Sequence, residues 1–188
     1  MREKLKNTEL FTALGDDALS LLANYFKVVN HKKGTILIHA EKVEPYFYIL
    51  ETGIARAYSI GENQQITFWF GQAGDVLLSY NSYINNKPGY ENIELLEDSV
   101  LYQIHLRDLF ELYNEHLPLA NWGRKIAERE LIATEKRLID RSFKDATERY
   151  RDFIVQSPDL IKRVALKHIA SYLGVTQVTL SRIRAACK

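Results

Sequence analysis

Cysteine is almost absent from this 188-residue chain, in which Cys187 is the single thiol. One thiol excludes an internal disulfide, and it cannot supply the ligands of an iron–sulfur cluster or of a cysteine-based structural zinc site. The histidines form no His-x-His pair of the kind that many metal-dependent enzymes use, and no pairing that indicates a haem. They are His31, His39, His105, His116 and His168. We therefore expect no metal, haem or other cofactor.

Long apolar runs are also missing. No stretch approaches the ~20 apolar residues of a membrane-spanning helix, and the first residues, MREKLKNTELF, contain no apolar signal-peptide core. We expect a cytoplasmic protein with no membrane partner. Neither a Ser/His/Asp arrangement nor a phosphate-loop signature is present, so an enzyme is not expected.

Charge is divided unevenly along the chain. Overall, 25 basic and 24 acidic residues nearly cancel, which by itself argues against a strong nucleic-acid binder. Residues 1–118, however, hold 10 Lys and Arg against 16 Asp and Glu, whereas residues 119–188 hold 15 against 8. No acidic residue follows Asp159. A cationic end on an acidic body suits attraction to phosphates, whereas a basic helix that is merely solvated would normally be mixed with acids.

The stretch 164–184, VALKHIASYLGVTQVTLSRIR, has the layout of a DNA-reading helix-turn-helix. Apolar residues recur at helical spacing through Ala170 and Leu173, and Gly174 then breaks the helix because glycine adopts a positive φ at little steric cost. Thr176 can cap a second helix whose apolar residues are Leu180 and Ile183. The alternative is an ordinary helical hairpin in an all-α core. The joint pattern of small residue, glycine turn, cap and polar-basic second helix favours DNA binding.

The front half of the sequence is typical of β-structure. After an amphipathic helix at 16–25, short runs of β-branched and aromatic residues are separated by turn residues such as Gly34, Pro45 and Gly53. The predicted strands are 35–40, 46–51, 53–60, 65–71, 92–97 and 99–105. Short strands at this close spacing predict an antiparallel barrel or roll.

From Leu106 onward the pattern changes to helix. The sequence predicts one short helix at 107–114, a long helix from Pro118 to about Asp140, and a further helix at 146–156. The dipeptide Ser157-Pro158 is the candidate for a flexible joint before the helix-turn-helix.

One face of the long helix predicts a dimer. With Arg124 included, its residues fall at alternating spacings of three and four along a single seam, which a helix from a second subunit could cover. The seam residues are Leu117, Ala120, Ala127, Leu131, Thr134 and Leu138. Ile132 and Ile139 lie on other faces. The alternative is a monomer whose C-terminal domain folds over the seam.

Four segments together resemble the Crp/Fnr family of bacterial transcription regulators. They are HKKGTILIHAEKVEPYFYILETGIARAY, FGQAGDVLLSY, ATEKRLIDRSFKDATERY and the helix-turn-helix sequence. Gly34, Gly53 and Gly74 stand where the family's roll has its turn glycines. The resemblance covers nearly the whole chain. The four segments together are specific to the family, whereas any one of them alone would be weak evidence for it.

The resemblance implies an α+β fold with three parts. Residues 1–116 would form an antiparallel β-roll of the effector-binding type (a double-stranded β-helix or jelly-roll), 117–141 a dimerisation helix, and 142–188 a winged helix-turn-helix domain. The resemblance also implies a homodimer that reads a pseudo-palindromic site in double-stranded DNA and recruits or blocks RNA polymerase. Since the sequence ends four residues after Arg184, the wing is either absent or replaced by other residues. The alternative function is a ligand-binding module that regulates protein partners without specific DNA binding.

The resemblance also identifies an effector pocket, and there the sequence departs from members that bind cyclic AMP. Such members carry a cassette that opens Gly-Glu and closes Arg-Ser-Ala, with the arginine on the cyclic phosphate and a carboxylate on the ribose. The closing triplet falls near Tyr90-Glu91-Asn92, so tyrosine replaces the arginine and Glu91 adds repelling charge. The opening residues are Gly74, Asp75, Val76, Leu77 and Leu78.

On the long helix, Thr134 matches a family residue that meets the adenine, but Glu135 follows it where relatives have serine. Cyclic AMP is therefore not expected as the effector. The pocket holds another small molecule, or it is a vestigial cavity filled by Tyr80, Tyr83 and Tyr90.

The resemblance assigns DNA-facing roles to the second helix. Arg182 matches a guanine-reading arginine, Gln177 occupies a base-reading position, and Val178 replaces a glutamate, which should change the target sequence. The residues expected to contact the DNA backbone are Lys167, His168, Thr176 and Thr179. Ser181 and Arg184 complete the exposed polar face of this helix.

Overall fold

A computed structural model describes residues 2–6, 8–62 and 64–187. The chain divides into two compact units: Met1–Ala57 with Phe70–Glu130, and Tyr58–Trp69 with Leu131–Lys188. The three domain ranges expected from the sequence stay a prediction.

Among the described residues, eight strands form two four-stranded sheets. Their bounds are β1 Lys27–His31, β2 Ile36–Ile38, β3 Tyr46–Thr52, β4 Ala55–Ile60, β5 Gln65–Gly71, β6 Val76–Leu77, β7 Asn92–Leu95 and β8 Ser99–His105. One sheet has the order β1-β8-β3-β6 and the other β2-β7-β4-β5. The pairs β1–β8, β2–β7, β3–β6 and β3–β8 are antiparallel. The predicted antiparallel roll is confirmed, and β1 and β6 are additions that the sequence pattern did not indicate.

Helices precede the roll, interrupt it between β6 and β7, and follow it. They are α1 Arg2–Lys6, α2 Asp16–Tyr25, α3 Tyr80–Asn85, α4 Leu106–Glu115, α5 Leu117–Phe143, α6 Ala146–Gln156, α7 Pro158–Arg163, α8 Leu166–Leu173 and α9 Gln177–Ala186, with a short 3-10 helix at Glu9–Phe11. The predicted long helix is α5, and α2 and α6 have the predicted bounds. At the predicted joint, Ser157 separates α6 from α7, and Pro158 begins α7 because the first position of a helix needs no backbone N–H donor. The flexibility of this joint stays a prediction.

The core of the first unit joins the roll to the helices around it. Phe47 of β3 and Tyr102 of β8 are buried with Leu109 of α4. Trp122 of α5 is 3% exposed, and its indole N–H donates a 2.9 Å hydrogen bond to the carbonyl of Leu10. Its ring also stacks on Phe11, with the centroids 5.4 Å apart. These contacts hold the first half of α5 against the roll.

In the second unit, a capping box determines where α6 begins. The Asp145 carboxylate accepts hydrogen bonds from the N–H groups of Thr147 (2.7 Å) and Glu148 (2.8 Å), and Glu148 accepts one from Asp145 N–H (2.9 Å). Beside this cap, the Lys144 ammonium contacts the carboxylates of Asp140 and Asp152 at 2.6 and 2.5 Å. Hydrogen bonds to these two carboxylates raise the pKa of Lys144. The cap and the ion pairs stabilise the junction between α5 and α6.

We expect Asp145→Ala to destabilise the protein by about 0.5–2 kcal/mol, because α6 loses the acceptor for two N–H groups at its start. Urea unfolding followed by circular dichroism measures this. Asp159→Ala, which removes an exposed carboxylate at the start of α7, is the control and should change stability by no more than about 0.5 kcal/mol. Equal effects of the two substitutions would show that the cap does not stabilise the fold.

Candidate nucleic-acid interface and roll pocket

A glycine turn joins α8 to α9. Gly174 has φ 69° and ψ 34°, the left-handed region that glycine adopts without strain. Its N–H donates to the carbonyl of Ser171, and the N–H of Val175 donates to the carbonyl of Ala170 at 2.9 Å. This pair of hydrogen bonds is the Schellman arrangement that ends a helix. The turn predicted at Gly174 is confirmed.

The second helix begins at the predicted cap. The Thr176 hydroxyl accepts a 3.1 Å hydrogen bond from the N–H of Thr179. Leu180 and Ile183 are buried, as are Ile169, Ala170 and Leu173 on α8. The apolar sides of the two helices are therefore the buried sides, and the polar sides are left for contacts outside the protein.

The exposed side of α9 carries residues that the sequence assigned to DNA contact. Gln177, Ser181 and Arg184 follow one another at intervals of four and three, and Val178 and Arg182 lie beside them at an interval of four. All five are exposed, with Val178 at 63%. Thr179, which the sequence placed at the DNA backbone, is half-buried.

Positive charge extends from this face to the neighbouring helices. Lys162 and Arg163 lie in the last turn of α7 and are exposed, as is Lys167 at the start of α8. His168 is half-buried, and Thr176 is exposed at the cap. Since no acidic residue follows Asp159, no carboxylate side chain on α8 or α9 offsets this charge. Such a surface attracts phosphates.

The roll residues that opened the expected effector cassette make a structural turn. Gly74 has φ 96°, and its N–H donates to the carbonyl of Leu50 at 2.8 Å. The Asp75 carboxylate accepts from the N–H of Gln72 at 2.7 Å. Val76 and Leu77 form β6, Leu77 is fully buried, and Leu78 is buried beside it. Asp75 thus stabilises its own turn.

The closing triplet turns a carboxylate inward. Glu91 is 6% exposed and accepts a 3.0 Å hydrogen bond from the N–H of Tyr90. A Cβ at Gly89 would lie 2.9 Å from one Glu91 oxygen and 2.4 Å from the Ser79 hydroxyl, so glycine permits this close approach. The Asn92 side-chain oxygen accepts from the N–H of Ala40 at 3.1 Å. Tyr90 is 68% exposed, so its expected role in filling the pocket is wrong.

Tyr113 takes the place that the sequence assigned to Tyr90. It lines a cavity of about 10 Å³ with Tyr80 and Tyr83, which is at the lower limit for a single water molecule. A Cβ at Gly123 of α5 would lie 2.5 Å from the Tyr113 hydroxyl, so the tyrosine rests directly on the helix backbone. Burial raises the pKa of both Tyr83 and Tyr113. The tyrosines therefore fill this part of the roll.

A buried ion pair, which the sequence pattern did not single out, lies on β4 and β7. Arg56 is 2% exposed. Its guanidinium contacts the Glu94 carboxylate at 2.6 Å. A charge-assisted bond of this length offsets part of the cost of burying the arginine. An alternation pattern alone assigns such a residue to a solvated face, which is why Arg56 was missed.

The second half of α5 exposes apolar side chains. Leu131 and Leu138 of the predicted seam are 69% and 66% exposed. Leu117, Ala127 and Thr134 of that seam are also exposed, and Ala120 is half-buried. Beside the seam, Ile132, Ile139 and Phe143 are exposed as well. The Thr134 hydroxyl, matched in sequence to a ligand contact, accepts a 2.8 Å hydrogen bond from Arg137.

None of the described helices is long and apolar enough to cross a membrane. Within residues 2–6, 8–62 and 64–187, no group of three or more His, Cys, Asp or Glu side chains is arranged to hold a metal ion.

Comparisons with known proteins agree with this architecture. Residues 28–116 match the family model described as the cyclic nucleotide-binding domain. FixK2 from Bradyrhizobium japonicum is similar in structure, with a TM-score of 0.73 and 20% identity over 86% of this chain and 83% of that one. Catabolite Activator Protein from Thermus thermophilus gives a TM-score of 0.61 and 18% identity over 94% and 85%.

A regulator from Eubacterium rectale described as Crp/Fnr family gives a TM-score of 0.73 and 18% identity over 93% of this chain and 84% of that one. No curated protein sequence matches. At these identities the structural likeness establishes the fold.

Proposed function

We propose that this chain, which combines a cyclic nucleotide-binding-type roll with the architecture of Crp/Fnr-type regulators, is a sequence-specific DNA-binding transcription regulator. The observation that carries the proposal is the exposed face of α9. Gln177, Arg182 and Arg184 lie on it together, at the end of the chain where no acidic residue follows Asp159. Arginine and glutamine side chains on a helix that enters the major groove can bond guanine and adenine edges.

We propose further that the regulator is a homodimer. Leu131 and Leu138 lie seven residues apart on α5 and are both more than half exposed. Apolar side chains at this spacing pack against the matching residues of a second helix. Two copies of α9 related by a two-fold axis would read the two halves of a pseudo-palindromic operator. Bound there, the dimer would recruit or block RNA polymerase.

The proposed regulator does not depend on cyclic AMP. Two features support this: the inward carboxylate of Glu91 and the exposed Tyr90 where relatives have arginine. A cyclic phosphate needs a cation and donors, and Glu91 presents an acceptor that uses the local N–H of Tyr90.

We expect cyclic AMP to leave the melting temperature of the protein unchanged. A ligand present at 100 times its Kd stabilises the folded state by about 2.7 kcal/mol, which shifts the melting temperature by several degrees. A thermal-shift titration to millimolar nucleotide measures this, with AMP as the control compound. A shift of several degrees with cyclic AMP and none with AMP would contradict the expectation.

A gel-shift assay of the full chain against genomic fragments of its host tests the proposed function. We expect binding to a subset of fragments that resists competitor DNA and weakens as salt is raised, because phosphate contacts release counterions. Absence of any competitor-resistant binding, with and without host metabolites, would contradict the proposal. That result would favour a module that regulates protein partners.

A further inference from the structure

Residues 58–69, which make up most of the hairpin formed by β4 and β5, belong to the same compact unit as the helix-turn-helix. That unit comprises Tyr58–Trp69 and Leu131–Lys188. β5 is the last strand in the order β2-β7-β4-β5, so one of its sides is a sheet edge. β4, by contrast, begins at Ala55 within the first unit. Residues 58–69 of the hairpin therefore group with the helices of the second unit.

One side chain joins this hairpin to α8. The hydroxyl of Ser171 accepts a hydrogen bond from the N–H of Thr67 at 2.9 Å and donates one to the carbonyl of Gln65 at 3.0 Å. Thr67 is fully buried, and Ser171 is half-buried. Residues i and i+2 of a strand direct their C=O and N–H groups to the same side, which is why one hydroxyl reaches both.

Both partners of Ser171 are backbone groups of β5, so the contact depends on the position of the strand and not on its side chains. A serine hydroxyl has one donor hydrogen, and here that hydrogen goes to β5. Within a helix, a serine hydroxyl can instead bond back to the carbonyl four residues earlier. Alanine at this position would keep the helix and remove both bonds to the strand.

Ser171 lies next to the turn that orients the reading helix. Its carbonyl accepts the N–H of Gly174, and Ala170 beside it accepts the N–H of Val175. Ser171 is therefore part of the hydrogen-bonded turn that leads into α9. The exposed side chains of Arg182 and Gln177 are not used in the contact, so the hairpin holds α8 while the reading face stays available.

We propose that Ser171 is a positioning residue for DNA recognition: it clamps the first helix of the helix-turn-helix to the β4–β5 hairpin and so sets the separation of the two reading helices in a dimer. The inference rests on the proposed function. With the clamp, each helix-turn-helix is held at two places, by the hairpin and by the helical connection from α5. Without it, the helical connection alone holds the reading helix, and the dimer tolerates operators of altered half-site spacing.

The test uses the duplex that the wild-type protein selects most strongly from a random pool, with derivatives that have one base pair inserted or deleted between the half-sites. We expect Ser171→Ala to reduce the preference for the selected spacing about five- to tenfold, the range that loss of one or two hydrogen bonds would give. Discrimination against a base change within a half-site should stay unchanged, because the reading side chains are intact. Ser171→Thr keeps the hydroxyl and should restore the spacing preference.

A second measurement follows the contact itself. Amide exchange of Thr67, measured by NMR on the full-length protein, should accelerate about five- to tenfold in Ser171→Ala. Ser20→Ala is the matched control, since the Ser20 hydroxyl bonds a carbonyl of its own helix, that of Asp16. It should leave both the spacing preference and the Thr67 exchange rate unchanged.

The outcomes separate the two proposals. An unchanged spacing preference in Ser171→Ala, with the operator still bound specifically, overturns the positioning role and leaves the proposed function standing. An unchanged exchange rate at Thr67 overturns the contact. If the wild-type protein selects no duplex at all, the proposed function fails and the positioning role fails with it.

Discussion

Replacing both Leu131 and Leu138 with aspartate is expected to give a monomer and to weaken binding to a two-half-site duplex about a hundredfold. The two side chains are 69% and 66% exposed in the single chain and lie seven residues apart on α5. Two carboxylates at the centre of a helix pair would lose their hydration without a partner charge. The affinity falls because each helix-turn-helix then binds alone, without the effective concentration that a dimer provides.

Sedimentation velocity measures the oligomeric state, and fluorescence anisotropy measures the affinity for the duplex. Val155→Asp is a suitable control, because Val155 lies on α6 and is 79% exposed. It introduces the same charge outside the seam and should leave a dimer that binds as the wild type does. A double variant that remains dimeric would show that α5 does not form the interface. A monomer that binds with wild-type affinity would show that dimerisation does not contribute to recognition.

Arg182→Ala is expected to cost about 1–3 kcal/mol at one operator position and to relax the base preference there. Arg182 is exposed on α9, one turn after Val178 on the same face. An arginine there can donate two parallel hydrogen bonds to a guanine, and no other base presents the same pair of acceptors. Binding to duplexes that already lack the guanine should change little, because the variant loses only the contact that those duplexes cannot make.

Lys167→Ala is the matched control for Arg182. Lys167 is exposed at the start of α8, where the sequence predicts a contact with the DNA backbone. Its removal should weaken all duplexes about equally and reduce the slope of log affinity against log salt by about one. The comparison requires affinities for the operator and its single-base variants at several salt concentrations. If Arg182→Ala also weakens all duplexes equally, its assignment as a base-reading residue is wrong.

Local patterns were sufficient to predict most of the fold. The α2 and α6 helices have the predicted bounds because their apolar spacing and flanking residues are complete within each segment. β1, with the sequence KVVNH, has few apolar residues and is mostly exposed, so its own pattern does not indicate a strand. Its hydrogen bonds to β8 hold it in the sheet. β6 has two residues, too few for any alternation to be visible.

The helix-turn-helix was predictable for the same reason. Its glycine turn, its threonine cap and its apolar spacing all lie within about twenty consecutive residues, and the structure contains each of them. The roll pocket was less predictable, because the tyrosine that fills it, Tyr113, comes from α4 while Tyr90 turns to solvent. Sequence proximity to the cassette favoured the wrong tyrosine.

The contact of Ser171 with Gln65 and Thr67 could not be predicted from the sequence. It joins positions 106 and 104 residues apart, and its partners are backbone groups that any residue type could supply. No pattern of side chains in the hairpin therefore indicates it. Contacts of this kind become visible only when the strand edge and the helix are seen together.

The most direct test of the central claim is selection of duplexes from a random pool by the full-length protein, followed by footprinting of the enriched sequence. A two-fold dimer that reads DNA with α9 should enrich two inverted half-sites whose centres lie about one helical turn, 10–10.5 base pairs, apart. One dimer should protect both of them. A single unrepeated half-site bound by one protomer, or equal binding of all duplexes with no enriched motif, would contradict the account.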